Sequence, residues 1–489
     1  MNRRQFVTQS VWAGAALGGL SQSVRGERLA TCPAAQAGGV DVRAFGAAGD
    51  GSRDDTAALQ RAVDEGGGRI VLSAGSYRIT RPIEIDLSGG YRAITGQAGT
   101  ARILMDGPGP ALRIVGHHEG TGNPRSVQPA TWDRERMPMV GGLEIVGGHE
   151  QADGIELIRT IQAIISAVLI RNCRFGLHLT ERNRNFILAG SHIIDCADSG
   201  VFFDRVNLHQ ANLYGNHISF NRRAGIRQLD GDVHNIQIVG NDIEYNAGSE
   251  PPTADVLLEA PDGIVSEFTI VGNTIQATPQ DRGANVHVVG RPDDGLTGAR
   301  LITLASNVLG SRQCNVRIEN ATRVSITGNT IYEGVTHCLL LERCRSAVVG
   351  SNTFASILIK RPVEPSNAVL LDECTGCSFT GNVLDRCGKP APEPAASITL
   401  RRCEQVHVAS CQLKDPLYEG VALDDATYCK VSDNIVRDSR PERLMEAAIT
   451  VSGDSRNNVV DNNAMTAGTR GAVVSAPSQA AVSNNTVWT

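Results

Sequence analysis

The strongest constraint in this sequence is a short pattern that keeps returning: apolar, any residue, apolar, any residue, small, Asn, any residue, apolar. Ile236-Gln237-Ile238-Val239-Gly240-Asn241-Asp242-Ile243 and Val324-Ser325-Ile326-Thr327-Gly328-Asn329-Thr330-Ile331 carry it in full. Asn216, Asn273, Asn307, Asn352, Asn382, Asn434, Asn463 and Asn485 mark further copies. Alignment upstream puts Cys173 and His192 at the Asn position, and Cys411 fills it further on. Neighbouring copies stand 19 to 34 residues apart. A repeat of that length cannot bury its apolar side alone and must stack on its neighbours. Alternation of period two on either side of the Asn gives two short strands joined by a tight turn. Asn suits the left-handed backbone that such a turn needs. Its amide can also bond the equivalent amide one repeat on, building a ladder.

A third strand precedes each pair. Gly154-Ile155-Glu156-Leu157, Gly176-Leu177-His178-Leu179, Gly200-Val201-Phe202-Phe203, Val286-His287-Val288 and Val316-Arg317-Ile318 belong to that series. In each, the outer apolar pair points inward and the middle residue outward. Three parallel strands per coil, stacked, make an all-β solenoid: a single right-handed parallel β-helix. Aromatic residues are only 4% of the chain, so its core rests on aliphatic side chains rather than on rings. A formal net charge of -6 gives no basic footprint for nucleic acid.

The first 37 residues read as an address. Arg3-Arg4-Gln5-Phe6 precedes an apolar run from Val11 to Leu20, which resembles a twin-arginine export signal. The run is too short for stable membrane insertion. Ala35-Gln36-Ala37 fits a cleavage site, whereas Leu29-Ala30-Thr31-Cys32 matches a lipoprotein box poorly. The expectation is export through the twin-arginine machinery to the periplasm or beyond. Residues 38–115 then form an N-terminal cap with the first coils, 116–139 a loop insertion, and 140–489 the remaining coils. The coil ending at Val487 has no evident cap after it, which points to a covering loop or self-association.

Asp41-Val42-Arg43-Ala44-Phe45-Gly46 runs through Asp54-Asp55-Thr56 and Ala58-Leu59 to Gly66-Gly67-Gly68-Arg69-Ile70-Val71-Leu72 and Ala74-Gly75-Ser76-Tyr77. This stretch resembles the N-terminal signature of the pectate-lyase-like superfamily, which includes rhamnogalacturonase-like enzymes and phage tailspikes. The resemblance implies the β-helix fold and a carbohydrate-active ancestry. It does not name a reaction. The ordered Asn-Thr-Asp, Asp-Asp, Gly-His-Gly and Arg-Ile-Lys motifs of the pectin hydrolases are absent, as is the Asp-Pro-His-Asp of alginate epimerases. Gly116-His117-His118, Asp293-Asp294, Leu358-Ile359-Lys360 and Asp424-Asp425 only approach them. Asp54 or Asp55 can cap a helix carrying Ala58, Leu59, Ala62 and Val63, which would plug the first coil.

Chemistry should lie on the outer side of the third-strand series, where successive coils stand ~4.8 Å apart. One outward column reads Glu156, His178, Phe202, Arg227, Leu257, His287 and Arg317. The next carries Thr180, Asp204 and, after an irregular coil, Glu259, Val289, Glu319, Glu342, Asp372 and Asp424. In the irregular coil, strict alternation would bury Gln228 and expose Leu229; a bulge at Arg227-Gln228 would instead turn Asp230 outward. Asp204, Asp230 and Glu259 would then occupy three consecutive coils. Stacked carboxylates either raise one pKa or hold a cation, so the set could bind Ca²⁺. Neighbours at about 5 Å suit a retaining glycosidase, and carboxylates two coils apart approach the inverting range. With Ca²⁺, Arg227 or His178 could remove the proton α to a uronate carboxylate, which is lyase chemistry. We therefore take Asp204, Asp230, Glu259, Arg227 and His178 as candidate catalytic residues. His287, Arg317, Phe202 and Glu156 are candidate substrate contacts. Glu319, Glu342, Asp372 and Asp424 read as solvated ladder charges paired with Arg343, Arg345 and Arg401. Trp132 and Tyr91 could stack on sugar rings.

Cys374-Thr375-Gly376-Cys377 has no matching second pair, which weakens a zinc reading. Cys344, Cys374 and Cys403 fall in one column, between Ala321 and Ala426, and behave as small buried apolar residues. These features leave two function classes open. One is a polysaccharide lyase or hydrolase, and the other a non-catalytic glycan-binding protein. Six methionines argue against a third, soft-metal handling.

Overall fold

The repeat pattern winds into stacked coils, each contributing three parallel strands. A representative coil in the computed structural model runs Ser199–Asp204, Asn207–Tyr214 and His217–Ser219. Each strand pairs in register with its counterpart one coil on: Val201 with Ile226, Leu208 with Val233, Ile218 with Ile243. Such crossovers between parallel strands wind right-handed. The structure describes residues 38–97, 99–120, 123–278, 282–292, 298–357, 365–390 and 394–488. The export segment, Asp293-Asp294 and Leu358-Ile359-Lys360 lie outside the described residues. Among the described residues, no helix is long and apolar enough to cross a membrane.

At the N-terminal end the helix Thr56–Gly66 packs Ala58, Leu59, Ala62 and Val63 into the core. Asp54 accepts from the Thr56 amide at 2.9 Å, while Asp55 accepts from the amides of Ala48 and Gly49. The first of the two aspartates thus caps the helix, and the second pins the incoming chain. At the other end Val482, Val487 and Trp488 remain exposed.

Interior amides hold the coils in register. Asn216, Asn241, Asn273, Asn307, Asn329, Asn352 and Asn382 each pass a side-chain hydrogen bond to the next, at 2.9 to 3.0 Å. Cys411 interrupts the series, and Asn434, Asn463 and Asn485 resume it. Two expectations need correction. The left-handed residue of the turn is not the ladder Asn but the small residue before it: Gly215, Gly240, Gly272 and Gly328 have φ of 64 to 67°, and Ser306 and Ser351 55 and 56°. The Asn itself is buried, where its amide is worth most. Upstream, Ser191 and not His192 takes the ladder position, donating its amide to Asn216. Cys173 belongs to a second ladder, in which the Cys196 amide bonds Asn221, Asn221 bonds Asn246, and Asn246 bonds Asp255. At Asp255 that ladder meets a wholly buried ion pair with Arg312, at 2.8 Å, and Asn285 one coil on donates to the same carboxylate.

All eleven described cysteines are buried free thiols. Their positions fill apolar gaps in the stack, as the column alignment requires.

Candidate functional site

The front of the solenoid is the outer side of the strands from Ala152–Ile161 to Gly471–Val474. The register sets Glu156, His178, Phe202, Arg227, Leu257, His287 and Arg317 on successive coils. Beside them run Asp204, Leu229, Glu259, Val289 and Glu319.

Asp230 is therefore not in this column. The strand Ala224–Leu229 pairs without any register shift, so the expected bulge is absent. Gln228 points inward and is fully buried, and its amide donates to the carbonyls of Asp230 and Ile264. Those two backbone acceptors satisfy its donor side, which offsets part of the cost of burial, while its Oε1 is buried without a partner. Leu229 faces outward between Asp204 and Glu259. Asp230 takes the corner with φ 49°, where its carboxylate accepts from the amides of Asp262 and Gly263 at 3.0 Å. Asp204, Asp230 and Glu259 accordingly do not form the expected stack, and the Ca²⁺ site drawn from them is not assembled. Asp204 and Glu259 remain two coils apart, about 10 Å along the stacking direction.

What the front does assemble is a chain of paired charges around an aromatic stack. His178 Nε2 lies 3.2 Å from Asp204 Oδ2, and its Nδ1 lies 3.9 Å from Glu156. Glu156 accepts from Arg113 at 2.6 Å. The Phe202 ring stacks on His178 at 5.4 Å and carries the Arg227 guanidinium at 4.7 Å. Arg227 donates to Glu259 at 3.0 Å. The hydrogen bond from His178, aided by Arg205, holds the Asp204 carboxyl below its usual range despite burial. Phe202 is only 4% exposed, with Phe175 also against it at 5.1 Å. Its faces are taken, so it acts as a spacer and not as a platform for a sugar. Arg227 and Glu259 are also buried, whereas the Asp204 side chain keeps 27% of its surface.

Further along, Glu319 gathers His287 and Arg317, both at 2.8 Å. Burial pushes the Glu319 carboxyl up, but His287, Arg317 and Arg343 outweigh it and leave it below its ordinary value. His287 and Arg317 line a cavity of ≈ 320 Å³ walled by Pro251 and Pro252. Beyond this point the ladder charges pair locally: Glu342 with Arg343, and Asp372 with Arg401 and Arg402. Tyr91 is covered by the Arg136 guanidinium at 4.3 Å, and Trp132 lines a separate hollow with Met137 and Ile164.

Two groupings escaped the sequence reading. On another side of the coils, His217, Asp242 and Glu244 bring ligand atoms within 4.8 Å of one another. Burial and the Glu244 charge raise the Asp242 pKa. The pairing of His217 with Asp242 across one coil is the register signal that could have found them. The other grouping is a cleft of ≈ 610 Å³ on the lower front, between His337 and Arg470. There the outward column turns small, at Thr399, Ala422 and Thr450.

Comparison with known proteins bears on the fold that carries this face. Residues 144–275 and 314–487 match the family described as the right handed beta helix region. Residues 39–102 match the family described as rhamnogalacturonase A/epimerase, pectate lyase-like. A stretch of 44 residues is 52% identical to mannuronan C5-epimerase AlgE3 of Azotobacter vinelandii, covering 8% of this chain and 2% of that protein. Among solved structures, the pre-mature bacteriophage phi29 gene product 12 is similar with a TM-score of 0.53 and 14% identity, over 91% of this chain and 57% of that one. The Dettilon tailspike protein is similar with a TM-score of 0.50 and 15% identity, over 76% and 66%. At those identities the likeness is one of fold.

Proposed function

We propose, for a chain that belongs to the right-handed β-helix family of pectate-lyase-like proteins, that it is an exported polysaccharide-active enzyme cleaving a glycan along its front. The observation that carries this reading is the His178–Asp204 pair, which stands half-open beside the Phe202–Arg227–Glu259 group. Asp204, kept ionised, can fix the imidazole and balance its charge while His178 exchanges a proton with the glycan. Arg227 and Glu259 hold the neighbouring ring in place. Whether the bond breaks by elimination or by hydrolysis depends on the sugar. The test is incubation of the purified protein with polyuronide and neutral glycans, with and without Ca²⁺, following unsaturated and reducing ends. Product that disappears in Asp204→Asn supports the reading; no product on any glycan sinks it.

One feature favours a second reading. Every charge in the central group is answered by a neighbour, which suits a face that binds a glycan without cleaving it. Glycan affinity without turnover, equal in the parent and in Asp204→Asn, would establish the binder. Export belongs to the same proposal and rests on Arg3-Arg4 and the apolar run after them. Fusion of residues 1–37 to a folded reporter should carry it to the periplasm, and Arg3→Lys with Arg4→Lys should stop it.

A further inference from the structure

The lower front differs from the central coils in having room. Thr399, Ala422 and Thr450 present short side chains in the column where the upper coils carry Phe202, Arg227 and Arg317, and the wall recedes into the cleft of ≈ 610 Å³. His337 stands at one end and Glu419 at the other. Three strand spacings separate their coils, about 14 Å, which is enough for a short oligosaccharide.

The two ends have opposite chemistry. Among the described residues, His337 makes hydrogen bonds through its backbone, as to Gln313, and none through its ring, which has no ion-pair partner either. Burial, with the positive charges of Arg401 and Arg317, pushes its pKa down to about 4, so the ring is neutral at pH 7. Arg401 lines the same cleft; it is held by Asp372 at 2.7 Å, but its Nε is buried without a partner. At the far end Glu419 is buried, accepting from Thr450 Oγ1 at 2.9 Å and Arg470 at 3.2 Å. Burial raises its pKa above the ordinary value in spite of both. Tyr418 sits beside it, and burial raises its pKa too. A neutral imidazole in a positive field is short of an anion. A protonatable carboxyl with a phenol is suited to hydroxyl groups.

We propose that this cleft is a second glycan site, separate from the His178–Asp204 group, which takes an acidic sugar with its carboxylate against His337 and Arg401 and couples that binding to proton uptake by His337. The inference rests on the reading of the front as glycan-binding, and it adds the substrate class. A bound carboxylate replaces the missing counter-charge, so the imidazolium becomes stable and gains a charge-assisted hydrogen bond. The other titratable groups lining the cleft are Arg401, Tyr418, Glu419, Asp424 and Arg470, with Arg317 acting on His337 from beside it and Asp372 holding Arg401; the arginines keep their charge throughout. Affinity therefore rises as pH falls from 7.

The test uses calorimetry with an oligouronate and its carboxyl-reduced counterpart, in buffers of different ionisation enthalpy. The oligouronate should bind at least ten-fold more tightly than the reduced sugar and take up a large fraction of a proton at pH 5, because one opposing carboxylate raises an imidazole pKa by about 1–3 units. His337→Gln should abolish the uptake. Ala422→Trp, which fills the exposed floor, should abolish binding, with circular dichroism confirming the fold. Asp204→Asn should change neither. Equal affinity for the reduced sugar, proton uptake that persists in His337→Gln, or no binding at all would overturn the proposal. Turnover of a neutral glycan that depends on Asp204, with uronates ignored, would overturn it and leave the central site standing. Uronate binding lost in Ala422→Trp, without turnover of any glycan, would support it and reject cleavage.

Discussion

Arg312 and Asp255 pair at 2.8 Å with neither side chain exposed, two coils apart in the stack and 57 residues apart in the chain. Arg312 also donates to the Asn246 carbonyl at 3.0 Å, so it braces the second amide ladder where Asn246 meets Asp255. Burial raises the Asp255 pKa, which Arg312 only partly offsets. A buried pair is costly to break and cheap to replace as a unit. Arg312→Met alone should lower stability by about 3–5 kcal/mol. The double change with Asp255→Asn should recover most of that, because Asn continues the pattern of Asn221 and Asn246. Chemical unfolding of the three proteins under one set of conditions checks both expectations.

Asp438 gives the acid end of the stability curve a specific source. Its side chain has no exposed surface. Burial works against its charge, but Arg440 and the amides of Arg440 and Met445 outweigh it and bring the pKa to about 2. The Arg440 bonds are 2.7 and 2.8 Å long. A depressed carboxyl pKa adds stability that is present above pH 4 and lost as pH falls through about 2. Asp438→Asn should cost on the order of 2 kcal/mol at neutral pH and flatten the stability curve below pH 4. Unfolding midpoints between pH 2 and pH 7 would show the difference.

The thiols should be silent until the solenoid opens. Burial pushes Cys173 and Cys314 up to about 12 and Cys429 to about 11. Thiolate is the reactive form, and these pKa values suppress it even where a reagent could reach. Titration with a disulfide reagent should find none of the eleven described thiols in the native protein and all of them in denaturant. Fast reaction of any in the folded state would contradict the buried columns.

Much of the fold was legible because burial on alternate residues fixes strand register, and register fixes which residues two dozen apart become neighbours. Cys344, Cys374 and Cys403 could be placed in one column for that reason. Asp230 was misplaced because the pattern cannot show that an inward Gln228 finds two carbonyls at the edge of the core. Phe202 was rightly placed outward, yet its exposure depended on His178 and Arg227 closing over it from adjacent coils. Arg312 left no signal at all: it reaches Asp255 from two coils away, past the irregular segment after Tyr245. The lower cleft was written in the sequence as Thr399, Ala422 and Thr450, but small outward residues mark a recess only once walls such as Tyr418 and Arg470 are in place.

The His178–Asp204 pair offers the sharpest test of the central group, because its two members can be read separately. The hydrogen bond from His178 is the leading cause of the low Asp204 pKa, ahead of the charges of His178 and Arg205. Replacing His178 with Leu should let the Asp204 carboxyl titrate upward toward its ordinary value, visible by carbon NMR of labelled aspartate. If His178 transfers a proton to or from the glycan, that change should also cut kcat by roughly 10²–10⁴. Arg227→Lys separates the two roles: it keeps a charge near Glu259 but loses the flat contact on the Phe202 ring. That variant should leave the Asp204 titration unchanged and weaken the response to glycan through KM more than through kcat. A fall in kcat with no movement of the Asp204 titration in His178→Leu would mean that the imidazole acts from outside the pair, and the chemistry would have to be sought elsewhere on the front.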